Sequence, residues 1–113
     1  MNVGRTLLVL VGVLFLCFGA CYSQVEVIHF NSEWNSDNDF DITQLKDCEK
    51  ENIIICTNPD MKEKHSIVSV PTIIVFNDGE ERKRFESNIM MELEATEKDI
   101  QKEIDKIMLE KFE

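Results

Sequence analysis

The chain has 113 residues and a formal net charge of −10, from 22 acidic and 12 basic side chains. Every acidic residue, and every basic one except Arg5, lies after Ser23, so that body carries −11. A field of that sign repels nucleic acid and anionic lipid headgroups, and nucleic acid is excluded as an expected partner.

Residues 1–23 read as a leader. Arg5 precedes an apolar stretch of roughly 16 residues, shorter than the ~20 of a comfortable spanning helix, and Cys21-Tyr22-Ser23 follows it. A basic start, an apolar centre and small residues near the end are the layout of a secretory signal. An uncleaved membrane anchor is one alternative. A lipoprotein is another, since Phe18-Gly19-Ala20-Cys21 resembles a bacterial lipobox with Phe18 where Leu is usual. The protein is therefore expected to be secreted or periplasmic, or attached to a membrane through residues 1–23. Residues 24–113 are enough for one small domain with one core.

In chain order, Val25-Glu26-Val27-Ile28-His29-Phe30 is a β-rich run suited to a buried strand. Asn35 to Asp41 is a polar turn dense in helix-capping residues. Phe40, Ile42, Leu45 and Cys48 then predict a helical stripe. Ile53-Ile54-Ile55-Cys56 is a continuous apolar run, expected of a strand covered on both faces. Asn58-Pro59-Asp60 predicts a short helix over about Pro59 to His65, with Asn58 as its cap. Thr72 to Phe76 is the most β-like run, Asn77-Asp78-Gly79-Glu80 is a hairpin turn, and Arg82 to Glu86 is a charged returning edge. Thr96 and Asp99 form a capping box before a last helix with Ile100, Ile104, Ile107 and Met108 on one face, to about Lys111. The order is β-α-β-α-β-β-α, with a right-handed parallel crossover first and an antiparallel hairpin after it.

Chemistry-bearing residues are few. Cys48 and Cys56 are the cysteines of the body. With Cys48 near a helix end and Cys56 four residues into the next strand, the two are offset by ~10 Å along the axis and by a ~10 Å layer spacing. A disulfide needs Cα atoms within about 7 Å, so two separate buried thiols are expected. Asp37-x-Asp39-x-Asp41 resembles the start of a calcium loop, but Ile42 and Cys48 stand where that loop needs Gly and Glu. No metal or other cofactor is expected.

Two segments carry a resemblance. Phe30-Asn31-Ser32-Glu33-Trp34-Asn35-Ser36-Asp37-Asn38 and Ser69-Val70-Pro71-Thr72 resemble the two halves of a thioredoxin active site, in which a strand runs into Glu-Trp-Cys-Gly-Pro-Cys and faces a Val/Ile-cis-Pro-Thr. The resemblance covers roughly Val25 to Phe112. It implies an α/β thioredoxin-like fold, a four-stranded mixed sheet with helices on both faces, and a cis bond before Pro71. Two departures stand out: the interval from Trp34 to Pro71 is short, and Asn88 to Ala95 resembles an insertion. Asn35 and Asn38 stand where the family has its cysteines, and asparagine neither ionises to a nucleophile nor forms a disulfide. Trp34, Asn35, Ser36, Asp37 and Asn38 are thus degenerate active-site positions. The Asn, Ser and Asp side chains are expected to cap the helix start. His29 stands at the family's buried acid and is expected to be a hydrogen-bonded core histidine. The backbone before the proline pairs with peptides in the family, so Trp34, Val70, Pro71 and Thr72 form the expected peptide-binding set. Three functions follow: a redox-inactive module that docks a polypeptide or partner protein; a thiol oxidoreductase working through Cys48 or Cys56; or a structural subunit of a larger assembly. An enzyme is the less favoured of these.

Overall fold

The computed structural model describes residues 24–112, and the expected signal or anchor lies outside them. The described residues form four strands and two α-helices: β1 (Val25–Asn31), β2 (Glu49–Ile54), α1 (Pro59–Lys64), β3 (Thr72–Asn77), β4 (Glu80–Glu86) and α2 (Glu97–Glu110). A 3₁₀ helix, Glu33–Asn38, follows β1. The sheet order is β2-β1-β3-β4. β1 and β2 are parallel, while β1–β3 and β3–β4 are antiparallel. The fold is the expected α/β sandwich around a four-stranded mixed sheet.

Alternation along the two central strands divides the core. Val25, Val27, Ile73 and Val75 face α2, meeting Ile100, Ile104 and Ile107. Ile28, Phe30, Ile74 and Phe76 face the other way, onto Ile53, Ile67 and Val70 and the half-buried Met61 of α1. His65 closes that side, its ring centroid 5.3 Å from Phe30 and 5.4 Å from Phe76. At the hairpin, Asp78 and Gly79 have φ of 55° and 81°, the paired left-handed conformations of a two-residue turn. The capping box of α2 forms as read: Thr96 Oγ accepts from the Asp99 N–H, and Asp99 accepts from the Thr96 N–H.

Three expectations need correction. The stripe from Phe40 to Cys48 is not a helix. Its donors go elsewhere: the Phe40 N–H to the His29 ring, the Thr43 N–H to Asp41, and the Lys46 N–H to Gln101. Asp41 and Thr43 compete locally with helical bonding, and Asp47 sits at φ 63°. Ile42 and Leu45 are nevertheless buried against α2, so the apolar stripe marked burial and not helix.

The second strand is Glu49–Ile54, not Ile53 to Cys56, and it lies at the sheet edge with Glu49 to Asn52 exposed. The apolar run enters the core only at the strand's end. Asn58 precedes α1 but makes no capping bond; its Nδ2 donates to the Ile54 carbonyl.

Candidate functional site

β1 delivers the chain to one end of the sheet, where Ser32 is extended (φ −112°, ψ 153°) and the 3₁₀ turn begins. Inside that turn Asn35 departs from helical geometry (φ −110°, ψ 21°). This kink turns Asn35 inward, to 6% exposure, and leaves the preceding Trp34 at 65%.

Asn35 organises the site. Its Nδ2 donates to Asn31 Oδ1 (3.1 Å), to the Val70 carbonyl (3.3 Å) and to the Met91 carbonyl (3.3 Å), three acceptors sharing two hydrogens. Its Oδ1 accepts from Asn38 Nδ2 (2.9 Å), and its backbone carbonyl from Asn31 Nδ2 (3.0 Å). Asn31 Nδ2 also donates to Asp39. The expectation that these side chains cap the turn is therefore corrected: Ser32, the capping residue, makes no side-chain cap. Asn35 and Asn38 bond to each other, while Ser36 and Asp37 are exposed.

Opposite Asn35, the Val70–Pro71 bond is cis. Val70, Pro71 and Thr72 are all buried. Thr72 pairs with both Phe30 and Glu86, and its hydroxyl donates to the Ser69 carbonyl (2.7 Å), so it holds the turn from within. The Val70 carbonyl is taken by Asn35, and among the described residues none accepts from the Val70 N–H. Half of the expected docking edge is thus already engaged.

A cleft of about 560 Å³ opens beside this turn, and neither Pro71 nor Thr72 lines it. Trp34 forms one wall, and Ile67, Val68 and Val70 form a second. Ile55 and Cys56 also line the cleft. The third wall is the segment after β4, with Ile89 and Met91, which sequence reasoning treated only as an insertion. That segment is a built loop. The Asn88 N–H donates to the Glu92 carbonyl, Asn88 Oδ1 accepts from the Met90 and Glu92 N–H groups, and Met91 at φ 61° turns its carbonyl to Asn35. Exposed apolar residues in a polar insertion (Ile89 is 98% exposed) were the available signal.

His29 is the hydrogen-bonded core residue that was expected. Its Nε2 accepts from the Phe40 N–H (3.2 Å), so its Nδ1 carries the proton and donates to Asn52 Oδ1 (3.0 Å). Burial pulls its pKa below the usual value, against the opposing pull of Asp39 and the Asn52 bond.

The two thiols are separate, as expected, but for a different reason: they flank β2, whose six residues put ~20 Å between them at about 3.3 Å per residue. Cys48 is half-buried, and burial pushes its thiol up. Cys56 is exposed, not buried, because β2 ends before it. The nearby Ser32 hydroxyl, and then the Glu33 backbone, pull its pKa below that of a free thiol.

Of the calcium-like aspartates, Asp39 engages Asn31 and Asp41 engages Thr43. Among the described residues no three His, Cys, Asp or Glu side chains converge on a metal position. No helix among them is long and apolar enough to cross a membrane.

The fold is thioredoxin-like, and solved structures place it there. The chain is similar to thioredoxin 1 of the thermophilic eubacterium Thermosipho africanus, with a TM-score of 0.59 and 18% identity over 78% of this chain and 99% of that one. It is similar to a mutant thioredoxin from Halobacterium salinarum, with a TM-score of 0.58 and 17% identity over 74% of each chain. The thioredoxin of Fasciola hepatica gives a TM-score of 0.57 and 18% identity, over 82% of this chain and 89% of that one. No sequence-family description matches the chain, and no curated protein matches it in sequence.

Proposed function

We propose that this is a thioredoxin-like binding module without a dithiol cycle, exported or membrane-attached through residues 1–23. In this reading Asn35 and Asn38 replace the two cysteines, and the cleft beside them docks an extended segment of a partner polypeptide. The observation that carries it is the pairing of a saturated, buried Asn35 with an exposed Trp34 one residue away. A turn whose reactive position is spent on hydrogen bonds has no exchange chemistry left. A large aromatic held out over an apolar cleft is instead typical of a binding hot spot. The Val70 N–H can pair with the backbone of an added strand. Affinity then comes from Trp34 and from the Ile67–Val70 and Ile89–Met91 walls.

Selection from a random peptide library on phage tests this. Extended peptides with apolar side chains are expected to be enriched on the wild-type domain and lost on Trp34→Ala. Enrichment that survives the substitution would transfer the role to another surface and favour a structural subunit. The enzyme reading has one supporting observation, the exposed Cys56 in the cleft. Among the described residues the other cysteine is Cys48, at the far end of β2, too far away to resolve a mixed disulfide on that thiol.

A further inference from the structure

We propose that the cleft receives the C-terminal end of its partner, whose terminal carboxylate is held by Lys62 and by the backbone N–H groups of Val68, Ser69 and Val70. This rests on the docking reading and names the part of the polypeptide that docks.

Charge singles out the class of occupant. The body after Ser23 carries −11, yet among the described residues that line the cleft none is acidic and Lys62 is the cation. Lys62 is exposed on α1, and its ammonium has no hydrogen-bond or ion-pair partner among the described residues. The Ile67 N–H donates to the Lys62 carbonyl (3.0 Å), which fixes Lys62 beside the wall formed by Ile67, Val68 and Val70.

Open donors gather on the same wall. The N–H groups of Val68, Ser69 and Val70 have no acceptor among the described residues, and all three residues line the cleft. The acceptors beside them are engaged: the Ser69 carbonyl accepts from the Thr72 hydroxyl (2.7 Å) and the Val70 carbonyl from Asn35 (3.3 Å). Strand pairing exchanges both kinds of bond, so an internal segment added here would bring N–H groups against carbonyls already in use. A chain end brings acceptors alone at its last group. Its carboxylate calls for several donors, and hydrogen bonds to a charged group are the stronger ones. Successive backbone N–H groups capture terminal carboxylates in other peptide-binding proteins. At about 560 Å³ the cleft has the size of a small-ligand site, which suits a chain end better than a long helix. Trp34, Ile67 and Ile89 supply apolar surface for the last side chains.

Two matched arrays of short random peptides test this, tethered by their N-termini and ending in a free carboxylate or in an amide. The purified protein is expected to bind members of the carboxylate array with apolar last residues. By fluorescence polarisation in solution, the best of these should bind about tenfold more tightly than its own amide. Lys62→Gln should weaken the carboxylate form about threefold and leave the amide unchanged. Trp34→Ala should weaken both forms alike. Equal affinity for the carboxylate and the amide, with both weakened by Trp34→Ala, would overturn terminal capture and leave docking standing. A carboxylate preference that Lys62→Gln does not reduce would also overturn it. Affinity untouched by Trp34→Ala, or no binding to either array, would overturn terminal capture and docking together. The comparison of carboxylate with amide is made on the wild type, so it holds whatever the variants do to folding.

Discussion

Asn35 Nδ2 lies 3.3 Å from the Val70 carbonyl, tying the turn after β1 to the residue that precedes the cis proline across 35 positions of sequence. The same amide reaches the Met91 carbonyl, so one buried side chain fastens two of the three cleft walls.

Removing that amide should be expensive. Asn35→Ala leaves the Val70 and Met91 carbonyls and Asn31 Oδ1 without their donor. At about 1–3 kcal/mol for each buried group left unpaired, partly relieved by water, a loss of about 2 kcal/mol is expected. Urea unfolding checks it, and a midpoint within error of wild type would show that Asn35 is not the tie.

Trp34→Ala should behave oppositely. The side chain is mostly exposed, so stability should change by no more than about 0.5 kcal/mol. Affinity for selected peptides should fall by about 2 kcal/mol, the hot-spot scale. Calorimetric titration beside thermal melting separates the two effects. A large melting shift with unchanged affinity would assign Trp34 to the fold.

Acid should weaken the domain through histidine. His29 is held neutral by burial, below the 6.5 at which an unfolded histidine titrates. His65 is lowered too, by burial and then by Lys64 and Arg84. In the window between 6.5 and the lower folded values the unfolded state binds more protons. Stability therefore falls as pH drops through that window and levels off beneath it. Denaturant midpoints from about pH 7.5 to about pH 5.5 should decrease, with a shallower slope in His29→Gln. A midpoint that rises on acidification would contradict this.

Insulin reduction in the presence of dithiothreitol should be no faster with the domain than with Cys48→Ser/Cys56→Ser. One exposed thiol without a second in reach forms an adduct but does not turn over. A clearly faster wild-type rate would restore the enzyme reading.

Much of this was legible in the sequence where local chemistry decides the outcome. The β-rich runs at Val25 and Thr72, the Asp78-Gly79 turn and the Thr96–Asp99 box each act over a few residues, and each formed. Phe40 to Cys48 was misread because its apolar spacing suits a helix, while its backbone donors were claimed by His29 and Gln101 from elsewhere in the fold. The cleft was half legible. Trp34 and Val70 announced themselves, but Asn35's inward turn, the burial of Pro71 and Thr72, and the third wall at Ile89 and Met91 depend on long-range contacts that spacing does not encode.

Amide hydrogen exchange of the wild-type domain, with and without a library-selected peptide, tests the docking site most directly. Protection is expected at the Val70 N–H and along Val68 to Val70 and Asn88 to Met91, with the Lys98 to Leu109 face of α2 unchanged. Protection confined to that helix face, with Val70 exchanging as fast as before, would contradict the placement of the binding site in the cleft.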